Sequence, residues 1–201
     1  MLLRRPAEFV FLDPGPLVDG ELQLVEPAPH WIDAMLAAMQ HPESRREDPG
    51  GVANRAQLQH FLKIAPDGHQ PPNTIYDRLP TYHYWLHIRE EFAPPLSICG
   101  AIGLRIGNNE DTCRYYGHVG YNVFPPARGH HYAERATRLL FPLALRHGMR
   151  TLWITCNPDN VASRRTCERL GGEFVETIAI PTNHPLYARG EREKCRYRID
   201  L

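Results

Sequence analysis

The sequence predicts a mixed α/β (α+β) domain, a mostly antiparallel sheet with flanking helices, and three observations carry that expectation. Gly117 to Leu170 reads as a β-α-β-α unit, in which a strand turns through Pro125-Pro126 into a long helix, a short apolar strand and a second helix. Before it, alternating runs separated by short turns suit antiparallel strands. Two further segments carry apolar residues at helical spacing.

Taken in order, Glu8 to Leu12 and Glu21 to Glu26 alternate, the second as a first strand. His30 to Gln40 places Trp31, Met35, Leu36 and Met39 on one helical stripe. His41 to Gly51 reads as a polar turn, and Asn54 as the N-cap of a helix to Ile64. Ala65 to Pro80 has four prolines and no periodicity, so it reads as a long loop, a length often tied to function. Thr81 to Arg89, Leu96 to Ile106 and Arg114 to Val123 follow as strands. A helix over Gly129 to Arg146 ends at Gly148, and Thr151 to Cys156 returns as a strand parallel to Arg114 to Val123 by the right-handed crossover rule. Asn160 caps the last long helix, and Glu173 to Ile180 with Lys194 to Ile199 closes a hairpin.

At 201 residues the chain fits one domain, and its formal net charge of zero argues against nucleic acid or an anionic membrane as partner. The paired arginines, Arg164-Arg165 among them, read as solvated faces. No stretch is apolar enough to span a membrane, and the first residues lack the apolar core of a signal peptide. Five scattered cysteines, without a paired spacing, suit reduced thiols in a cytoplasmic protein. Adjacent His130 and His131 point to different helix faces, so no metal site is expected.

The joint from Val123 to Ala133 has the chemistry of an anion site. A helix start leaves main-chain N–H groups without partners at the positive end of its dipole. No acidic residue intervenes before Glu134, and Gly129 lets the backbone approach a ligand.

Arg128-Gly-His-His-Tyr-Ala133 resembles the R-x-x-G-x-G/A acyl-CoA loop of the GNAT acetyltransferases. Asn160 to Gly172 resembles their following motif, N-x-x-S-x-x-x-x-E-x-x-G. The resemblance implies the GNAT fold, with a splayed parallel strand pair, and transfer of an acetyl group from acetyl-CoA to a primary amine of a small molecule or protein N-terminus. The variant resembles the branch with ribosomal-protein amino-terminal acetyltransferases, and a homodimer is compatible with it. The implied CoA-binding residues are Asn122, Val123 and Phe124 on the strand, Arg128, Gly129, His130, His131, Tyr132 and Ala133 at the joint, and Asn160 and Ser163. The fourth loop position, commonly glycine, is His131, which the resemblance places within the first helical turn.

The acceptor must lose a proton and the thiolate must gain one. His118, five residues before the strand's end, has an imidazole, which titrates near neutrality, and sits where relatives often carry Glu, so it is the candidate base; a half-exposed histidine hydrogen-bonded on its strand is the other reading. Glu110 and Asp111 are the reserve. Where relatives place a proton-donating Tyr, this chain has Cys167, either a thiol donor or a packed core residue. The rival function, a non-catalytic acyl-CoA-binding or interaction module, rests on the Cys167 and His131 departures. Acceptor specificity would come from Met35 to Pro80 and Pro181 to Glu193, with residues such as Tyr76, Tyr82, His83, Tyr84 and Tyr187.

Overall fold

The computed structural model describes residues 9–47, 54–73, 78–92 and 94–201. In chain order the elements are β1 (Val18–Asp19), β2 (Leu22–Val25), α1 (Ile32–Gln40), α2 (Pro42–Glu47), α3 (Arg55–Ile64), β3 (His69–Gln70), β4 (Thr81–Ile88) and β5 (Ile98–Arg105). They continue with β6 (Val119–Val123), α4 (Tyr132–Arg146), β7 (Thr151–Cys156), α5 (Val161–Arg169), β8 (Glu173–Ala179), α6 (Pro185–Ala188) and β9 (Glu193–Asp200).

The strands form two antiparallel sheets. One runs β1-β2-β4-β5-β6, with β3 also paired to β4, and the other runs β7-β9-β8. Alternation decides which side chains enter the main core: Tyr82, Tyr84 and Leu86 of β4 and Ile102 and Leu104 of β5 pack under Ala136, Leu140 and Leu143 of α4. The opposite face puts Trp85 and Ile98 against Ile32, Met35 and Leu58 of α1 and α3. Asn54 caps α3 as expected, in a reciprocal capping box with Gln57.

Several sequence expectations need correction. The alternating run before the first strand is irregular, with Phe9, Phe11 and Leu12 packed on the core. The polar turn after His41 begins instead with α2, while its remainder, like Tyr76 and Asp77, lies outside the described residues. The strand expected from Arg114 starts only at Val119, because Thr112–Tyr116 is a π-helical turn closed at Gly117. Gly117 has φ 72° and ψ 161°, a region essentially reserved for glycine, and a Cβ there would sit 3.0 Å from the Trp153 carbonyl oxygen. Tyr82 and Tyr84 are core residues, not acceptor lining. Among the described residues, no helix is long and apolar enough to cross a membrane.

Candidate active site

The β6 and β7 strands are neighbours at one end only. The His118 N–H donates to the Trp153 carbonyl (2.6 Å), and the Trp153 N–H donates back to the His118 ring at Nδ1 (2.8 Å). Beyond that junction no ladder joins them among the described residues, and a cleft opens between Gly120, Tyr121, Thr155 and Cys156.

The free edge of β6 offers particular main-chain groups to this cleft. The Asn122 carbonyl faces β5, where a Cβ on Gly100 would collide with it, and the Phe124 N–H donates to the Cys99 carbonyl (2.8 Å). Alternation then turns the polar groups of Tyr121 and Val123 toward the cleft edge. The Val123 carbonyl accepts from Arg128 Nε at 3.0 Å, which agrees. Of the three strand positions expected to offer a donor, Val123 is the one whose main chain turns toward the cleft edge. The main-chain groups of Asn122 and Phe124 face β5 instead, although Asn122 lines the larger cavity.

That cavity, about 480 Å³, lies between the free edge of β6, the start of α4 and the first turns of α5. Arg128, Gly129, His131, Tyr132 and Ala133 line it from the joint, and Asn160 and Ser163 from α5. No described main-chain carbonyl accepts from the N–H groups of Gly129 through Glu134. A row of such donors at the positive end of a helix fits a pyrophosphate. Gly129 has φ 92° and bends the chain inward. His131 is the αL residue ahead of α4 (φ 59°), outside the helix and not within its first turn as expected. This is a glycine conformation that histidine tolerates better than most residues.

Two expected members fall outside this cavity. Phe124 is buried in the second core cluster with Trp85 and Ile98, and exposed His130 stacks on the Tyr132 ring at 5.2 Å and lines a different pocket. Charged side chains that sequence reasoning missed also line the cavity: Arg165, Arg169 and Glu47. Arg165 and Arg169 are four apart on α5, behind the Asn160 cap, and that spacing was the available signal. Glu47 ends α2 and pairs with Arg128 Nη1 at 2.6 Å. The Asn160 side chain accepts from the Ser163 N–H (3.0 Å), so it caps α5 while facing the cavity.

The catalytic expectations change most. His118 is 0 % exposed, its Nδ1 is taken by Trp153, and its Nε2 reaches the Gly107 carbonyl at 3.0 Å. Burial outweighs that bond and pulls its pKa down to about 4, so it is a neutral ring with both nitrogens engaged. A ring so enclosed has no free nitrogen for a substrate proton. Glu110 is exposed on the turn before the π-helical segment, and Asp111 lies 3.7 Å from His184 Nε2. Cys167 is 0 % exposed behind Cys156; the bond to Cys156, then burial, pushes its thiol up, so it stays protonated. Tyr121, which sequence reasoning passed over, brings its hydroxyl to Ser163 Oγ at 2.8 Å and lines both the cavity and the β6–β7 cleft.

Comparison with solved structures places this fold among acetyltransferases. The microcin C7 self-immunity acetyltransferase MccE, solved with acetyl-CoA and AMP, superposes with a TM-score of 0.65 at 15 % identity, covering 91 % of this chain and 94 % of that one. RimL, the ribosomal L7/L12 α-N-protein acetyltransferase, solved with coenzyme A in disulfide linkage to a cysteine, gives 0.62 at 15 % identity over 92 % and 96 %. A GCN5-related N-acetyltransferase from Brucella melitensis gives 0.64 at 14 % identity over 95 % and 80 %. A search of curated proteins found no match. The family model described as "Acetyltransferase (GNAT) domain" matches residues 21–173. With that match spanning both the joint ahead of α4 and the cleft between β6 and β7, the chain belongs to the GNAT acetyltransferases and is an acetyl-CoA-dependent N-acetyltransferase.

Proposed function

We propose that this chain acetylates a primary amine, of a small molecule or a protein N-terminus, at the cleft between β6 and β7. The run of unpartnered N–H groups from Gly129 to Glu134 carries the reading, because it forms an anion cradle directly beside that cleft. Arg128, Gly129, His131, Tyr132 and Ala133 hold the phosphates, with Arg165 adding charge from α5. Asn160 and Ser163 border the path toward the cleft.

Acetyl-CoA supplies the activated acetyl group. The Val123 main chain, at the free strand edge, polarises the carbonyl under attack without needing a particular side chain. Tyr121 is the proton donor to the departing sulfur, the role first assigned to Cys167, since its hydroxyl reaches the cleft and Ser163 can resupply it. With both nitrogens of His118 engaged, the ammonium loses its proton to water. That arrangement suits an amine of low basicity, such as an α-amino group, whose reference pKa is about 7.7 against about 10.4 for lysine.

Melting curves with and without CoA, followed by thiol release across an amine panel, test the proposal. CoA should raise the melting temperature and at least one amine should release thiol; no shift at millimolar CoA removes the cradle from this role.

A further inference from the structure

The sheet face next to the cleft says what kind of amine is received, an inference that rests on the proposed acetyl transfer at the same site. On this face α1 and α3 cover the end with Trp85 and Ile98. Toward the other end stand His83 on β4, Gly103 and Arg105 on β5, and Gly120 and Asn122 on β6. Gly103 and Gly120 are Cα partners across the β5–β6 ladder, so no side chain rises between them. Gly120 is exposed and also lines the cleft. The floor beside the reaction site is therefore backbone at these two positions, with the His83 ring 3.3 Å from where a Gly103 Cβ would stand.

Arg105 stands at the edge of that floor. Its Nη1 donates to the Gly117 carbonyl (2.9 Å) and would lie 3.8 Å from a Cβ placed on Gly120, while its guanidinium lies 5.9 Å from the centre of the Tyr116 ring. Among the described residues no carboxylate pairs with it, and burial lowers its pKa. Around the Tyr116 hydroxyl, Arg105 and Arg189 act as positive charge against Asp111, which lies beside His184. The closest ring on the floor, His83, is held neutral by burial and by Arg105, with its pKa pulled down to about 4. Removing a guanidinium from water without a counter-charge is costly, and a ligand anion offsets that cost.

We infer that the acceptor amine carries a negatively charged group, a carboxylate or a phosphate, which Arg105 receives over the Gly103–Gly120 floor while the amine points into the β6–β7 cleft. The chain supplies one half of an ion pair and the substrate supplies the other. A neutral or cationic analogue leaves Arg105 without its partner, and such a loss is worth about 10- to 100-fold in selectivity.

The test compares four short amines, β-alanine, 2-aminoethyl phosphate, β-alaninamide and ethylenediamine, each rate being expressed per neutral amine. For the wild type, kcat/KM for the better anionic acceptor should exceed that for β-alaninamide by about tenfold or more. The order of the two anionic acceptors tells carboxylate from phosphate. In Arg105→Gln that ratio should fall to within about twofold of one, and Arg105→Lys should restore part of it. A ratio is insensitive to general damage in a variant, and the wild-type preference needs no variant. Equal use of the amide or the diamine by the wild type, or an unchanged ratio in Arg105→Gln, overturns the inference. If CoA binds but none of the four turns over, calorimetric titration of the CoA complex with β-alanine and 2-aminoethyl phosphate decides: binding lost in Arg105→Gln supports it, and no binding overturns it. Failure of acetyl transfer itself reads differently, as no CoA-dependent stabilisation and no thiol release with any amine.

Discussion

His118 and Trp153 are joined twice, main chain to main chain at 2.6 Å and main chain to ring at 2.8 Å. The imidazole stands in for a strand: its Nδ1 accepts the N–H that a neighbouring carbonyl would otherwise take, and its Nε2 ties the junction to Gly107. His118→Ala should therefore lose about 2–4 kcal/mol of stability, since the Trp153 N–H is left buried without a partner. Chemical denaturation at neutral pH measures it, and a loss below about 0.5 kcal/mol would deny the ring its bridging role.

The same residue sets an acid sensitivity. The folded-state pKa of about 4 lies below the ordinary histidine value near 6.5, so the unfolded chain binds the proton first. Stability is complete above pH 6.5 and is lost as the pH falls from there through 4, by roughly 3 kcal/mol for this one ring. His83, also held near 4, acts in the same direction. Urea midpoints between pH 7.5 and 4.5 should fall steeply in the wild type and less steeply in His118→Asn. Equal slopes would mean that other groups carry the acid response.

At the start of α4, His131 holds a backbone conformation that glycine adopts freely. His131→Gly should leave stability unchanged or raise it by up to about 1 kcal/mol, and His131→Val should lower it by about 1–2 kcal/mol. CoA affinity should follow the main-chain geometry and survive the glycine change. Thermal melts with and without CoA separate the two effects.

The Arg128–Glu47 pair competes with any phosphate for the same guanidinium. Arg128→Glu should weaken CoA binding, whereas Arg150→Glu, on the exposed turn ahead of β7, should not. Glu47→Gln should tighten CoA by a few-fold, in keeping with the modest worth of an exposed ion pair. Titration calorimetry gives all three, and equal losses from the two Arg→Glu changes would show the anion site to be misplaced.

Tyr121→Phe removes the hydroxyl that bridges Ser163 and the cleft. We expect kcat to fall by about 10² with CoA affinity within about twofold of the wild type. Single-turnover rates give the chemical step directly, and an unchanged rate would assign the leaving-group proton to water.

Much of this architecture is legible in the residues because it obeys local periods. Tyr82, Tyr84 and Leu86 alternate with His83, Trp85 and His87, and α3 announces itself with Asn54 and Gln57. The π-helical turn was hidden because Cys113, Arg114, Tyr115 and Tyr116 suit a strand equally well, and only Gly117 marks the break. The place of His118 depends on a strand 35 residues away, and no local pattern reports such a partner. Phe124 follows directly on β6, yet the Pro pair turns its ring into the α1–α3 core. Arg165 was read as solvated because charge alone does not reveal which helix face borders a cavity.

The division of the sheet also bears on how the molecule is put together. Among the described residues, 18–123 supply the strands of the first sheet and 151–200 those of the second, so each sheet closes its ladders without a strand from the other. Assembly then reduces to docking two locally completed units through α4 and the His118–Trp153 junction. The cleft belongs to neither unit and exists only once they meet. A ligand lodged there touches both and acts as a stitch across the seam, so amide exchange should slow on β6 and β7 together when it binds.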